Sequence, residues 1–514
     1  MSGWNDGYYS EIAYTVEFQR QIMPVWLNAA SLLAGYRPKD LTQPFRWCDL
    51  GCGYGFSALV AAACHPEAEI YGFDFNPAHI ETARRMATEA GLSNARFEDT
   101  SFEALANAPP GTWPKMDFIV LHGVWSWISA AQRAHVLRFI DAHLAPGGIV
   151  YNSYNALAGW AAMLPVQKWL RHVCVTRPGP ANQMVATGIG LLDEMKAKGA
   201  LFFKENPVAN ARLDHMRTQD VHYVSHELLH DSWEPFSPDH VALDMAQVRC
   251  GFMGSATLLE NFDAFSVPQE MLPMLAQAHD AIEKEMLRDF GAGRTFRRDL
   301  FRRGTERPPH GEWLAALDEI RLTDLGQPDD GTMRIKVWGN QGITLPAEIY
   351  SPVRQGLRAG TLSLGELRGL FPNSDLLREM LAVFMSTGIA HPAPFPNPGP
   401  VRHQRAQALN HAIARFNQNG GHFGFMAAPC LATALAIAPA DMAVVSAFIA
   451  HPPPPGQSPA EAAAQGLAAS GQILLQDGEP VTDPDQAMAG WRQMTEQFGV
   501  GALPVLRGVG IVPA

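Results

Sequence analysis

The chain is short of charge and short of anything that would export it or staple it. Only 18% of its 514 residues are charged, against ~25% in an average globular domain, and acids outnumber bases to a formal net charge of −12. That balance excludes broad electrostatic attraction to nucleic acid or to an anionic membrane surface. The six cysteines, Cys48, Cys52, Cys64, Cys174, Cys250 and Cys430, form no C-x-x-C pair, so neither a disulfide framework nor a zinc knuckle is indicated. The opening "MSGWNDGYYSEIAY" has neither a basic stretch nor an apolar run. No signal peptide is therefore expected, and a reducing cytoplasm is the expected compartment. One nearly charge-free run, 423–450, is long enough to cross a bilayer, but Pro429, Pro439 and Asp441 interrupt it. It reads as buried helices of a carboxy-terminal core, and no membrane insertion is expected. No short-period repeat is visible.

What the chain does have is apolar residues, 47% of the total, enough to bury cores in two to four domains. Over the first 155 residues strand and helix patterns alternate: "FRWCDLG", "FSALVAAACH", "EIYGFDF", "PAHIETARRMATEAG", "MDFIVLHG", "AAQRAHVLRFIDAHL" and "IVYNSYN". These lengths predict an α/β doubly wound parallel sheet, preceded by a helix in "EFQRQIMPVWLNAASLL". Residues 160–225 read as a helical insertion, and 237–257 as a helix and strand that return to the same sheet. The stretch 268–303 reads as helical. Its basic end, Arg294–Arg303, places Phe296 and Leu300 on one side, as a solvated helix face would. Residues 361–394 suggest a helix-turn-helix followed by a short strand. Its second helix, "SDLLREMLAVFMSTG", is apolar, which points to protein contact or packing and away from nucleic acid. "HPAPFPNPGP" and "HPPPPGQSP" read as linkers or surface loops.

The first loop carries the chemistry. "CDLGCGYG" follows a strand and opens a helix, so Gly51 and Gly53 let the backbone approach a ligand at a helix amino terminus. Asp74 ends the second strand, where a carboxylate can accept from both hydroxyls of a ribose. Asp49 stands just before the first glycine, where it would repel a pyrophosphate but welcome an ammonium. The loop also departs from G-x-G-x-x-G. With "FDFNP" and "LAPGGIVY", it resembles the class I S-adenosylmethionine-dependent methyltransferases, with their Rossmann-like domain.

That resemblance implies S-adenosyl-L-methionine as cofactor and no metal. It assigns the methionine part to Asp49, Gly51 and Gly53, the ribose to Asp74 with Phe75 beside it, and the adenine to Ser101 and Phe102, with Asp99 as an alternative. "YNSYNALAGW", "YVSHELLHDSWEPF" and "RDFGAGRTFRRDLF" are similar to members carrying a methyltransferase regulatory domain, among them the rickettsial outer-membrane-protein lysine methyltransferases. The implied architecture is a methyltransferase domain over 1–265 with a helical insertion at about 160–225 and a regulatory segment from about 215. A mainly α middle domain with a winged-helix-like part follows over 266–395, and an α+β carboxy-terminal domain over 396–514.

Within "YVSHELLHDSW", the letters HELLH at 226–230 match the H-E-x-x-H signature of zinc proteases. A third ligand is wanted, and neither His240 nor Glu260 sits in a recognisable third-ligand motif. The match is expected to be structural, with His226 or Glu227 reaching the acceptor pocket as the alternative. "LHGVWSW", after the fourth strand, is not the Asp/Asn-Pro-Pro-Tyr/Phe motif of amino-group methylation on bases.

The favoured acceptor is a protein lysine, whose amine must lose a proton before attack. Expected catalytic residues are His122, Trp127, Tyr154 and Asn155, with His122 either a base or a cofactor contact. Tyr9, Tyr14, Trp125 and Trp160 are the expected acceptor pocket, since rings desolvate an amine and hold a methylated ammonium. A small-molecule acceptor is the alternative within enzymes, and an inactive cofactor-binding regulator the alternative of another class. A homodimer is left open.

Overall fold

The apolar runs pair into one seven-stranded sheet. It comprises β1 (Arg46–Leu50), β2 (Glu69–Asp74), β3 (Ala95–Asp99), β4 (Met116–Leu121), β5 (Leu144–Asn155), β6 (Cys250–Ser255) and β7 (Phe296–Arg303), in the order β3-β2-β1-β4-β5-β7-β6. In the computed structural model, residues 17–512 are described except 219–223, 226–227, 305, 329–330, 370–372, 451–457, 470–473 and 477–478. Tyr9, Tyr14, His226 and Glu227 therefore lie outside the described residues. The first five strands pair in parallel, and β7 runs antiparallel to both β5 and β6.

Both faces of the sheet are covered, so its central strands are apolar almost throughout. Trp47, Phe118, Val120 and Tyr151 face a core shared with α1 (Pro24–Leu33), α2 (Phe56–Cys64) and α3 (Pro77–Glu89). Cys48, Leu50, Ile119, Leu121 and Tyr154 face α5 (Ala130–His143) and the Pro238–Gln247 helix. Two buried indoles fix the leading segment across the sheet. Trp47 Nε1 donates to Ile22 O at 2.9 Å, and Trp26 Nε1 donates to Ala256 O at 2.8 Å. A buried indole N–H needs such a partner. The chain winds outward from β1 to β3 and then returns to β4, so the crevice of the fold opens at the carboxyl ends of β1 and β4.

The basic run departs from expectation. The basic run Arg294–Arg303 is no helix face: Phe296–Arg303 is β7, inserted between β5 and β6. Alternation along this strand buries Arg297, which is 1% exposed, where its guanidinium meets Glu285 at 2.7 Å, Asp289 at 2.5 Å and Asp299 at 3.0 Å. Burial works to raise the Glu285 carboxyl, yet Arg297, Arg288 and Arg294 together hold it down at about 2. Glu285 and Asp289 lie on the Ala281–Ala292 helix, so the charges that looked solvated are neutralised inside. The limit of the first domain expected at 265 is corrected with it, because the sheet closes only at Arg303.

The helical insertion is present. Helices between Leu157 and Met216 pack around Met163, Val166, Leu170, Phe203 and Leu213. Farther on, β8 (Arg321–Asp324) precedes the hairpin of β9 (Met333–Lys336) and β10 (Gly342–Leu345). It pairs with β11 (Leu362–Ser363) and β12 (Ala390–Pro392), flanking the Ser374–Thr387 helix. The run 423–450 is only half helical. β13 (Phe425–Ala428) and β14 (Thr433–Ala436) form a hairpin about Pro429, and Pro439–Ala450 is the helix. No described helix is long and apolar enough to cross a membrane. The carboxy-terminal region from Gly399 onward docks on α2: Phe423 stacks on Phe56 at 3.8 Å, and Arg402 Nε donates to Cys64 O at 2.7 Å.

Candidate active site

Beyond Leu50 the backbone doubles back, with Gly51 at φ +87° and Gly53 at φ +54°. Gly51 N and Cys52 N donate to Phe73 O at 2.8 and 3.0 Å, clamping the loop to the end of β2. The two glycines serve different needs. A Cβ at Gly51 would come within 2.6 Å of Val124 Cγ2, whereas one at Gly53 meets nothing within 4 Å. Gly51 is demanded by close packing against the β4 loop, and Gly53 leaves space open on the cavity it borders.

Asp74 is pinned by main chain. Its Oδ2 accepts from Gly53 N and its Oδ1 from Asn76 N, both at 2.9 Å, with His79 Nδ1 3.5 Å away. Asn76 in turn caps α3. Asp49, 4% exposed, ends β1 on the same cavity. Burial, and then the charge of Asp74, push its carboxyl up to about 8. Among the described residues no cation pairs with it. His122 stands at the end of β4, with Nδ1 2.8 Å from Tyr151 Oη. Burial, with Arg298 nearby, pushes its imidazole down to about 3, so the ring is neutral at pH 7. It is far too weak a base to take a proton from an amine of ordinary pKa ~10.4. Of the two roles expected for His122, the geometry leaves that of a neutral contact.

Most expected site residues converge. Asp49, Gly51, Gly53, Asp74 and Phe75 line one cavity at the carboxyl ends of β1 and β2. Ser101, Phe102, His122 and Trp127 complete it from β3 and β4. Ser101 is also the amino-terminal cap of α4 (Phe102–Ala106), accepting from Ala104 N at 3.1 Å. Asp99 does not reach the cavity and pairs with Arg84, so Thr100 borders it instead.

Four expected residues are placed elsewhere. Trp125 is wholly buried in the core under α5. Tyr154 is equally buried, its hydroxyl donating to Asp299 Oδ2 at 2.5 Å, a contact that excludes it from the reaction space. Asn155 is 2% exposed, and its backbone bonds the 236 and 126 positions. Trp160 donates to Thr295 O at 2.8 Å and lies edge-on to Trp233. The residues that β5 does turn toward the site are Tyr151 and Ser153, the latter accepting from Gly123 N at 2.9 Å. Also unanticipated are Tyr54, whose ring lies 4.3 Å from that of His79, and the leading segment, where Gln19 and Ile22 form a wall. The tyrosine inside the glycine loop was the available signal for the first.

The site now has relatives to be set beside. Residues 42–182 match the family described as "Methyltransferase domain", and residues 220–303 match "Predicted methyltransferase regulatory domain". The uncharacterized protein sll1526 of Synechocystis sp. is 31% identical over 514 residues, covering 99% of both chains. Trans-aconitate 2-methyltransferase of Methylobacterium radiotolerans is 28% identical over 269 residues, 50% of this chain and 88% of that one. Among solved structures, PKMT2 from Rickettsia typhi in complex with AdoHcy covers 97% of this chain and 99% of its own with a TM-score of 0.67. At 17% identity it shows a shared fold. The regulatory match ends at Arg303, so that region supplies β6 and β7 to the catalytic sheet itself. The chain belongs to the class I S-adenosylmethionine-dependent methyltransferases that carry a methyltransferase regulatory domain.

Proposed function

We propose that this methyltransferase transfers the methyl group to the side-chain amine of a protein lysine. What carries the reading is extent: the likeness to PKMT2 runs through the whole chain, beyond the cofactor sheet, and so includes the parts that would meet a bulky acceptor. The donor set fits S-adenosylmethionine. The buried carboxyl of Asp49, with which no cation pairs among the described residues, suits the ammonium of an amino acid, and Gly53 leaves room beside it. Asp74, held by two backbone N–H groups, is rigid enough to accept from ribose hydroxyls. Phe75, Ser101 and Phe102 border the space for the adenine. When bound there, the cofactor supplies a methyl already activated by its positive sulfur.

The protein's own task is to bring a neutral nucleophile in line and keep water out. Val124, Trp127 and Ile128 give the cavity an apolar side that favours the uncharged amine by desolvation. His122, neutral and hydrogen-bonded to Tyr151, orients that wall without titrating. A second reading, methylation of a small carboxylic acid, draws on the likeness to trans-aconitate 2-methyltransferase. An inactive regulator gains no support, since the loop, Asp49 and Asp74 are all in place. The test supplies methyl-labelled S-adenosylmethionine and a host-cell lysate split into macromolecular and small-molecule fractions. Label on lysine in a protein band is the expected result; label confined to small molecules would replace it with the second reading.

A further inference from the structure

A second cavity adjoins the first and has the opposite electrical character. It lies among the leading segment, the start of β7, β9 and the end of the Ser374–Thr387 helix. Four of its lining residues are cations, Arg20, Arg294, Arg334 and Lys336, and one is an acid, Glu260. Glu260 is already engaged, facing Arg294 at 3.4 Å and accepting from Ser255 Oγ at 2.8 Å. Arg298, on β7 behind Phe296, adds a fifth cation at the edge, its guanidinium 4.8 Å from the Phe296 ring. In a chain with a net charge of −12, such a gathering needs a reason.

Internal pairing accounts only for Arg294, which also faces Glu285 at 3.5 Å and Asp289 at 3.6 Å. Among the described residues no carboxylate pairs with Arg20, Arg298, Arg334 or Lys336. Arg20 makes one hydrogen bond, to Ser386 O at 3.1 Å, and lies over the Trp26 ring at 4.8 Å. Burial and the neighbouring charge of Arg298 lower its pKa, so the two cations disfavour one another. The enclosed polar atoms lack acceptors too. Arg294, 6% exposed, has Nη2 without a partner, as do Trp338 Nε1 and Arg298 Nε. These orphans are all donors. Buried donors without acceptors are costly, and a guanidinium fork is made for a planar anion.

The two cavities share a wall. Gln19 and Ile22 border the first while Arg20 and Gln21 border the second, so one turn of chain separates them. On the other side Phe296 lines the second cavity with its ring 5.9 Å from that of His122, which lines the first. A group held among the arginines would therefore belong to the molecule whose amine enters beside Trp127. We infer that the second cavity is an anion subsite that takes a carboxylate of the methyl acceptor, an acidic side chain flanking the target lysine. This rests on the lysine reading only for the source of the carboxylate. The anion site itself stands on the unpaired cations.

The test is calorimetric titration of the full-length protein with a penta-glutamate peptide and, separately, with inorganic phosphate. The variant is Arg334→Gln/Lys336→Gln, two exposed positions on β9 whose exchange leaves cofactor affinity as an internal control. Saturable peptide binding that weakens about tenfold in the variant, at unchanged cofactor affinity, is expected. Absence of saturable binding, or binding indifferent to the variant, overturns the site. Phosphate binding as tight as the peptide overturns the carboxylate assignment. A labelled-methyl assay on lysine peptides flanked by glutamate or by glutamine separates the two readings. Labelling that prefers glutamate supports both. Labelling blind to the flank keeps the lysine reading and overturns the subsite, whereas a glutamate peptide that binds without label keeps the subsite and counts against lysine.

Discussion

The two cavities divide the electrostatic labour of one reaction. On one side of the Arg20–Ile22 turn, Asp49 and Asp74 present carboxylates, and among the described residues no cation pairs with Asp49; on the other, Arg20, Arg334 and Lys336 pair with no described carboxylate, and Arg294 alone is held by acids. The first arrangement disfavours folding on its own, since Asp49 is a buried carboxyl without a partner cation among the described residues, whereas Arg334 and Lys336 are exposed and cost little. What the contrast teaches is that the missing partners come from outside. On the proposed reading, the acidic cavity takes the ammonium of the cofactor and the basic one the anion of the acceptor.

That contrast can be broken most severely at Asp74. Asp74→Ala removes the acceptor of Gly53 N and of the ribose, and cofactor affinity by calorimetry should fall by about 3 kcal/mol, on the order of a hundredfold. Unchanged affinity would sink the site. Next comes the pair of glycines. Gly51→Ala forces a methyl to 2.6 Å from Val124 and should cost about 2 kcal/mol of stability in denaturant unfolding. Gly53→Ala should cost under about 1 kcal/mol and instead weaken the cofactor, because its methyl enters open space on the cavity. Equal behaviour of the two variants would refute the division between packing and binding.

Asp49 offers a smaller, pH-dependent effect. Its folded carboxyl, at about 8, lies above its ordinary value of 3.8, so its favourable contribution is present in acid and is lost as pH rises through about 8. The cofactor-free protein should lose thermal stability progressively from about pH 4 to about pH 8 and level off above it, and Asp49→Asn should remove that loss while weakening cofactor binding about tenfold. A variant that melts in parallel with the parent across this range would refute the buried, unpaired carboxylate. The smallest effect is expected at His122. With its imidazole near 3, His122→Gln should leave the pH profile of kcat between 6 and 9 unaltered in shape. Disappearance of a limb near neutrality would instead make it the base.

The sequence made the first half of the site readable because its signals are local. A glycine loop after a strand, a carboxylate ending the next strand and a capped helix behind it all lie within 30 or so residues. β7 was unreadable for the converse reason. Its arginines look solvated until Glu285 and Asp289 are brought over them by the preceding helix, and no local pattern announces that. β5 misled in a different way. "YNSYN" carries polar and aromatic residues on both faces, and period-two alternation cannot say which face is the inner one. The structure turns Tyr151 and Ser153 to the site and Tyr154 to the arginine network.

The placement of β7 also sets an order of events during synthesis. β6 leaves the ribosome before β7, yet it has no neighbour in the sheet until β7 arrives between it and β5. Throughout that interval the outer edge of β5 is open, and the unpaired β6 is a rival for it. The charged alternation Arg297–Asp299 answers this hazard, because only β7 carries the charges that complete the network with Glu285, Asp289 and Tyr154. Phe296, which lines the second cavity with its ring 5.9 Å from that of His122, arrives with the same strand. The strand that closes the sheet thus also walls the second cavity, and both β6 and β7 come from the region named for regulation.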